Sequence, residues 1–194
     1  AQLVARALTL VPADSHGAGR LVSRYGIVLG AAEGDYEGAQ QALERAIAIA
    51  RREGDLHLEA LTLAYAAHVS WQHLHWQESL DYGLRAIELA IGDEIHFINL
   101  NPRVSIVSSL LRLGDLDAAR PHALALLDME EKRSSVRSFA FGLSHIASLS
   151  LLEGDWKAVR EYSDRGMETL TLNMSNLLPR VMLEYETGES AQGE

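Results

Sequence analysis

The chain has 194 residues, 47% of them hydrophobic and 23% charged, a globular balance that argues against disorder except at the ends. Its 27 acidic and 17 basic residues leave a net charge of -10 with no basic footprint for phosphate backbones, so direct nucleic-acid binding is not expected. Cysteine is absent, which removes disulfides and thiolate metal sites and is compatible with a cytoplasmic location, and no apolar run reaches the roughly 18 to 20 residues that span a bilayer.

In chain order, apolar residues at helical spacing predict helices over about 1–12, 17–32, 35–52, 55–72, 76–91, 97–112, 116–131, 134–152, 156–172 and 178–187. The opening "AQLVARALTL" has no initiator Met and already reads as helix, as expected of a piece of a longer chain. Between helices stand Gly34-Asp35, Gly54-Asp55, Gly92-Asp93, Gly114-Asp115 and Gly154-Asp155. A Gly in the left-handed conformation ends one helix, and the Asp after it caps the free N–H groups of the next. Pro102 and Pro179 suit first helical turns, whereas Pro121, about six residues into its helix, should delay or kink it.

The turns fall in register. "EGDYEGAQQALERAI" from Glu33, "HLHWQESLDYGLRAI" from His73, "LGDLDAARPHALALL" from Leu113 and "EGDWKAVREYSDRGM" from Glu153 each begin 40 residues after the last. They share a large residue after the turn (Tyr36, Trp76, Leu116, Trp156) and a small one three positions on (Ala39, Ser79, Ala119, Val159). A further column reads Ala46, Ala86, Leu126 and Gly166, followed by Ile47, Ile87, Leu127 and Met167. This predicts one repeat domain over 1–194, with a partial unit 1–14, units over about 15–54, 55–94, 95–134 and 135–174, and a partial unit 175–194. Each unit is a pair of helices, and partial units at the ends would expose apolar surface through which a homodimer could form.

At these columns, and above all in "GDYEGAQQALERA", the chain resembles the tetratricopeptide repeat. It departs from that family in its period of 40 rather than 34, in lacking the closing Pro, and in carrying Ile27 and Val107 where the first helix favours a small residue. The longer period is closer to the repeats of large bacterial MalT-like and LuxR-type transcription regulators and of related signalling ATPases or cyclases. The resemblance implies an all-α, right-handed α-solenoid of about ten antiparallel helices. It also implies a cytoplasmic, non-catalytic module whose concave groove receives a protein or peptide, another domain of the parent chain, or a small-molecule effector such as a metabolite or sugar.

The chemistry-bearing residues fit that frame. Lys132 precedes Arg133 and Lys157 precedes Ala158, so neither completes a phosphate-binding P-loop, and HExxH, GxSxG and EF-hand patterns are missing. "HVSWQHLHWQESL" over 68–80 contains three His and two Trp, yet its His73, Leu74 and His75 stand where sister units have the Glu/Leu-Gly-Asp turn. His68 and His73, five apart, would lie about 140° apart around a helix, so no metal is expected there and no cofactor elsewhere. The recurring Glu-Gly-Asp acids are read as caps rather than a catalytic pair. Trp76 and Trp156 share a column with Tyr36 and Leu116 and are expected in the core, whereas Trp71 matches Ala31, Leu111 and Leu151 and is not. On the tetratricopeptide pattern the groove residues are Arg24, Val28, His68, Trp71, Gln72, Asn101, Ser108, Arg112, Ser144 and Ser148. Trp71 would stack on a ligand and Arg112 would supply a forked donor.

Overall fold

The turn chemistry sets the frame. In the computed structural model, which describes residues 2–89, 102–132, 136–170 and 174–188, Gly34, Gly54, Gly114 and Gly154 all have φ between 68° and 81°. Asp35, Asp55, Asp115 and Asp155 accept from the N–H groups of Gly38, Leu58, Ala118 and Ala158, so four orphan donors at helix starts are satisfied by one repeated device. Gly92-Asp93 lies outside the described residues.

Ten helices result among the described residues: α1 (Gln2–Leu8), α2 (His16–Val28), α3 (Tyr36–Glu53), α4 (Leu56–Gln72), α5 (Trp76–Leu89), α6 (Pro102–Leu113), α7 (Leu116–Lys132), α8 (Val136–Glu153), α9 (Trp156–Thr169) and α10 (Met174–Thr187). No strand occurs among them. Pro102 opens α6 as expected. Two other expectations need correction. Pro121 does not delay α7, which starts at Leu116 and carries the proline inside, and α10 starts at Met174, so Pro179 is an interior residue rather than a first-turn one. Its ring is buried, and that packing offsets the donor it lacks. The first helix stops at Leu8, short of the expected 12, and α2 runs on through a π-helical turn over Leu29–Glu33.

The chain divides into two compact units, Ala1–Ser109 and Leu110–Glu194. In the first, α2 packs on α3, α3 on α4 and α4 on α5, and α2 also reaches α4. In the second, α7, α8, α9 and α10 pack in sequence and α8 reaches α10. The second helices of successive pairs, α3 with α5 and α7 with α9, have no Cα atoms within 8 Å of each other. Small residues permit the close approach of the first helices. A Cβ on Gly30 would meet Val69 Cγ1 at 2.5 Å, and the Ser23 and Thr62 hydroxyls bond across α2 and α4 at 2.9 Å. Asn176 Nδ2 donates to the Ala140 carbonyl across α10 and α8 at 2.8 Å.

The repeated columns form the core. Ala39, Ser79, Ala119 and Val159 are fully buried, as are Ala46 and Ala86, with Leu126 nearly so. The aromatic column behaves differently: Trp76 is only half-buried and Trp156 is 42% exposed, so the expectation of a core Trp156 is corrected. At the first position of a helix the side chain stands at the rim, where one edge packs and the other meets water.

Candidate binding face

The histidine-rich stretch over 68–80 contains the α4–α5 turn. Leu74, at the position of the sister glycines, has φ 66°, so the backbone keeps the repeated left-handed turn although the residue is branched and 67% exposed. His75 replaces the capping Asp. Its ring lies 4.3 Å from that of Tyr36, the two planes 7° from parallel, while His73 Nε2 bonds to the Gly30 carbonyl oxygen at 3.0 Å. Tyr36 donates to Glu78 Oε2 at 2.5 Å, and Gln40 Nε2 donates to the Tyr36 hydroxyl at 2.7 Å and to Ser70 Oγ at 3.2 Å. Burial and the bond to Glu78 raise the Tyr36 pKa, so the phenol stays protonated and donating at neutral pH. These side chains fill the space between α3 and α5. His73 and His75 thus both pack against the Tyr36 ring; no group of three or more His, Asp or Glu positioned for a metal ion occurs among the described residues.

The sequence-derived groove residues separate by unit. In the first unit, Arg24 is exposed on α2 and its guanidinium lies 5.9 Å from the centre of the Tyr65 ring on α4, a cation–π distance. Val28 follows one turn later, half-buried. On α4, His68 and Trp71 are half-buried with ring centroids 5.8 Å apart, tilted by 34°, and Gln72 is exposed. Burial lowers the His68 pKa, which keeps the imidazole neutral near pH 7. Ser108 on α6 is half-buried, and Asn101 lies outside the described residues.

In the second unit, Arg112 is exposed in the last turn of α6. Ser144 is buried at 4% exposure and donates to the Phe141 carbonyl at 2.7 Å, while the half-buried Ser148 donates to the Ser144 carbonyl at 2.8 Å. Both hydroxyls thus serve their own helix. One exposed residue of the first unit, Arg20, one turn before Arg24 on α2, is not among the groove residues that the sequence suggests. The Arg20–Arg24 spacing of four was the available signal, since it sets two cations on one helical face.

No protein-family model matches this chain, and no curated protein matches it. Its resemblance to tetratricopeptide and MalT-like repeats therefore rests on the columns and turns alone.

Proposed function

We propose that this chain is a non-catalytic interaction or signal-receiving module, built as an α-solenoid of tetratricopeptide-like pairs, in a cytoplasmic bacterial transcription regulator or signalling protein. It binds an extended peptide or a second domain through the faces of its first helices. The observation that carries this reading is the sorting of side chains between the two helices of a pair. The second helices meet through a filled network of Tyr36, Gln40, Glu78 and Tyr82, whereas α2 and α4 approach closely and leave Arg24, Val28, His68, Trp71 and Gln72 at the outer surface.

The test is selection of binders from a random peptide library on the immobilised chain, followed by titration against Trp71→Ala and Arg112→Ala. The reading expects binding to weaken by about tenfold or more at an anchoring residue, with circular dichroism and melting temperature unchanged. Peptides that bind both variants as tightly as the parent chain would overturn it. A second reading, a metabolite or sugar sensor, is favoured by one feature: the tilted His68–Trp71 pair with the Gln72 amide beside it in sequence offers stacking and hydrogen bonding at one spot.

A further inference from the structure

A surface helix ordinarily keeps polar residues on the side opposite the one it buries. The helix α10 does not. It packs on α8 and α9 and buries Asn176, Pro179 and Leu183, while Met174, Leu177, Leu178, Val181, Met182 and Tyr185 stand exposed, the last at 81%. At about 100° per residue, Met174, Leu178, Val181 and Tyr185 fall within about 60° of one another, opposite the buried three. At multiples of 40 residues the same columns are covered in other first helices: Ala18 and Leu58 at the position of Leu178, Val22 and Thr62 at that of Met182, and Tyr65 and His145 at that of Tyr185, all buried. Each of α2, α4 and α8 packs on the helix that follows it, α3, α5 and α9. Among the described residues no helix follows α10, so its exposed side is a seat for one more helix.

We propose that this seat is filled by α10 of a second copy, antiparallel, in a two-fold dimer. The proposal goes beyond the interaction-module reading and uses none of the residues of that face. Met174, Leu178, Val181 and Tyr185 recur at the alternating four- and three-residue spacing by which two helices interlock. The stripe is also symmetric about the point between Pro179 and Arg180: Met174 mirrors Tyr185, Leu177 mirrors Met182, and Leu178 mirrors Val181. A two-fold axis there sets each apolar side chain against an apolar one and brings Met174 to the partner's Tyr185 as a sulfur–aromatic contact. Charge favours the same direction. From Met174 to Pro179 the helix has no charged residue, Arg180 is engaged with Asp164 and Glu184, and Glu186 is exposed in the last turn. A parallel pair would oppose Glu186 to its own copy, whereas the antiparallel pair sets it beside the dipole-positive start of the partner helix. Covering the six side chains would remove about 600 Å² from each copy, and about 1,200 Å² in a pair reaches the lower end of specific interfaces.

Sedimentation equilibrium on the full chain should show the 21.3 kDa monomer passing into a dimer at micromolar concentration. Val181→Asp should weaken the dimer at least about tenfold, whereas Leu3→Asp, at an exposed apolar residue of α1, should leave it intact. Circular dichroism checks that both variants fold. Added salt should tighten the dimer, because each copy carries a charge of -10 and the seam carries none. The chain has no cysteine, so single replacements report direction without interference. Met174→Cys mixed with Tyr185→Cys should give a disulfide between copies on mild oxidation, and neither variant alone should give one. This arm decides the matter even if Val181→Asp does not fold. A mass that stays at 21.3 kDa up to about 500 µM would overturn the proposal. So would a dimer that survives a folded Val181→Asp, one that dissociates in salt, or disulfides between identical sites. A monomer that captures a synthetic peptide of residues 153–170, which contains α9, would overturn the second copy as occupant and give the seat to a second helix instead.

Discussion

The imidazole of His75 lies flat on the ring of Tyr36, centroids 4.3 Å apart, and joins the second helix of one pair to the turn of the next. The same ring has its hydroxyl bonded to Glu78 and Gln40, so Tyr36 is held on its face and at its tip. Tyr36→Phe keeps the stack and deletes the hydroxyl, and should cost about 1 kcal/mol, the usual net value of a hydrogen bond. His75→Ala keeps the hydroxyl and deletes the stack, and should cost about 0.5 to 1.5 kcal/mol. Urea unfolding of each variant measures both, and a loss near zero for the two would mean that the cluster is solvated decoration.

Leu74 pays a local cost for its left-handed turn, and its exposure means that little burial offsets it. Leu74→Gly relieves about 1 to 2 kcal/mol of steric cost and returns part of that as lost backbone entropy. A net gain of about 1 kcal/mol in urea is expected. A destabilised Leu74→Gly variant would show that the side chain packs in a way its 67% exposure does not suggest.

Glycines of two kinds should respond differently to alanine. At Gly34 the φ of 74° is the only obstacle, because no atom lies within 4 Å of a built Cβ, so Gly34→Ala should cost about 1 kcal/mol. At Gly30 the Cβ would collide with both Val69 methyls and with Ala39, so Gly30→Ala should cost about 1 to 3 kcal/mol by forcing α2 from α4. Calorimetry ranks the pair, and the reverse order would contradict the close approach of the first helices.

Much of this was legible because the repeat states its own rules. Four Asp caps and four left-handed glycines follow from a recurring dipeptide, and the buried columns follow from residues that stay small or apolar from unit to unit. The stretch at 68–80 was readable as a turn, but not as a clamp on Tyr36, because the partner lies about forty residues away on another helix. Trp156 was misplaced for a related reason: position in a column gives orientation, whereas exposure depends on what packs beside the rim. Ser144 and Ser148 stand at variable columns, yet their hydroxyls bond to their own helix backbone, a local outcome that repeat alignment does not encode.

Acid should weaken the fold. Burial lowers the His145 pKa, against a smaller opposite effect of its bond to the Phe141 carbonyl, and burial lowers that of His68. The folded chain holds both neutral, while the unfolded chain takes up protons as pH falls through about 6.5. Their contribution is therefore complete above that pH and lost below it, until the folded imidazoles protonate too. Asp55, lowered chiefly by its hydrogen bond from His16, adds its own loss only in the more acidic carboxylate range. Stability should decline from pH 7 to pH 5, and His145→Gln should flatten the profile. An unchanged slope in His145→Gln would remove the buried imidazole from the account.

The most direct measurement follows the three indole N–H signals in a nitrogen–proton correlation spectrum while the tightest library-selected peptide is added. Trp71 belongs to a first helix, α4, whereas Trp76 and Trp156 begin second helices, α5 and α9. If the first-helix face is the binding surface, the Trp71 signal moves in a saturable way and the Trp156 signal, although 42% exposed, stays in place. Movement of Trp156 with Trp71 unmoved would contradict the account.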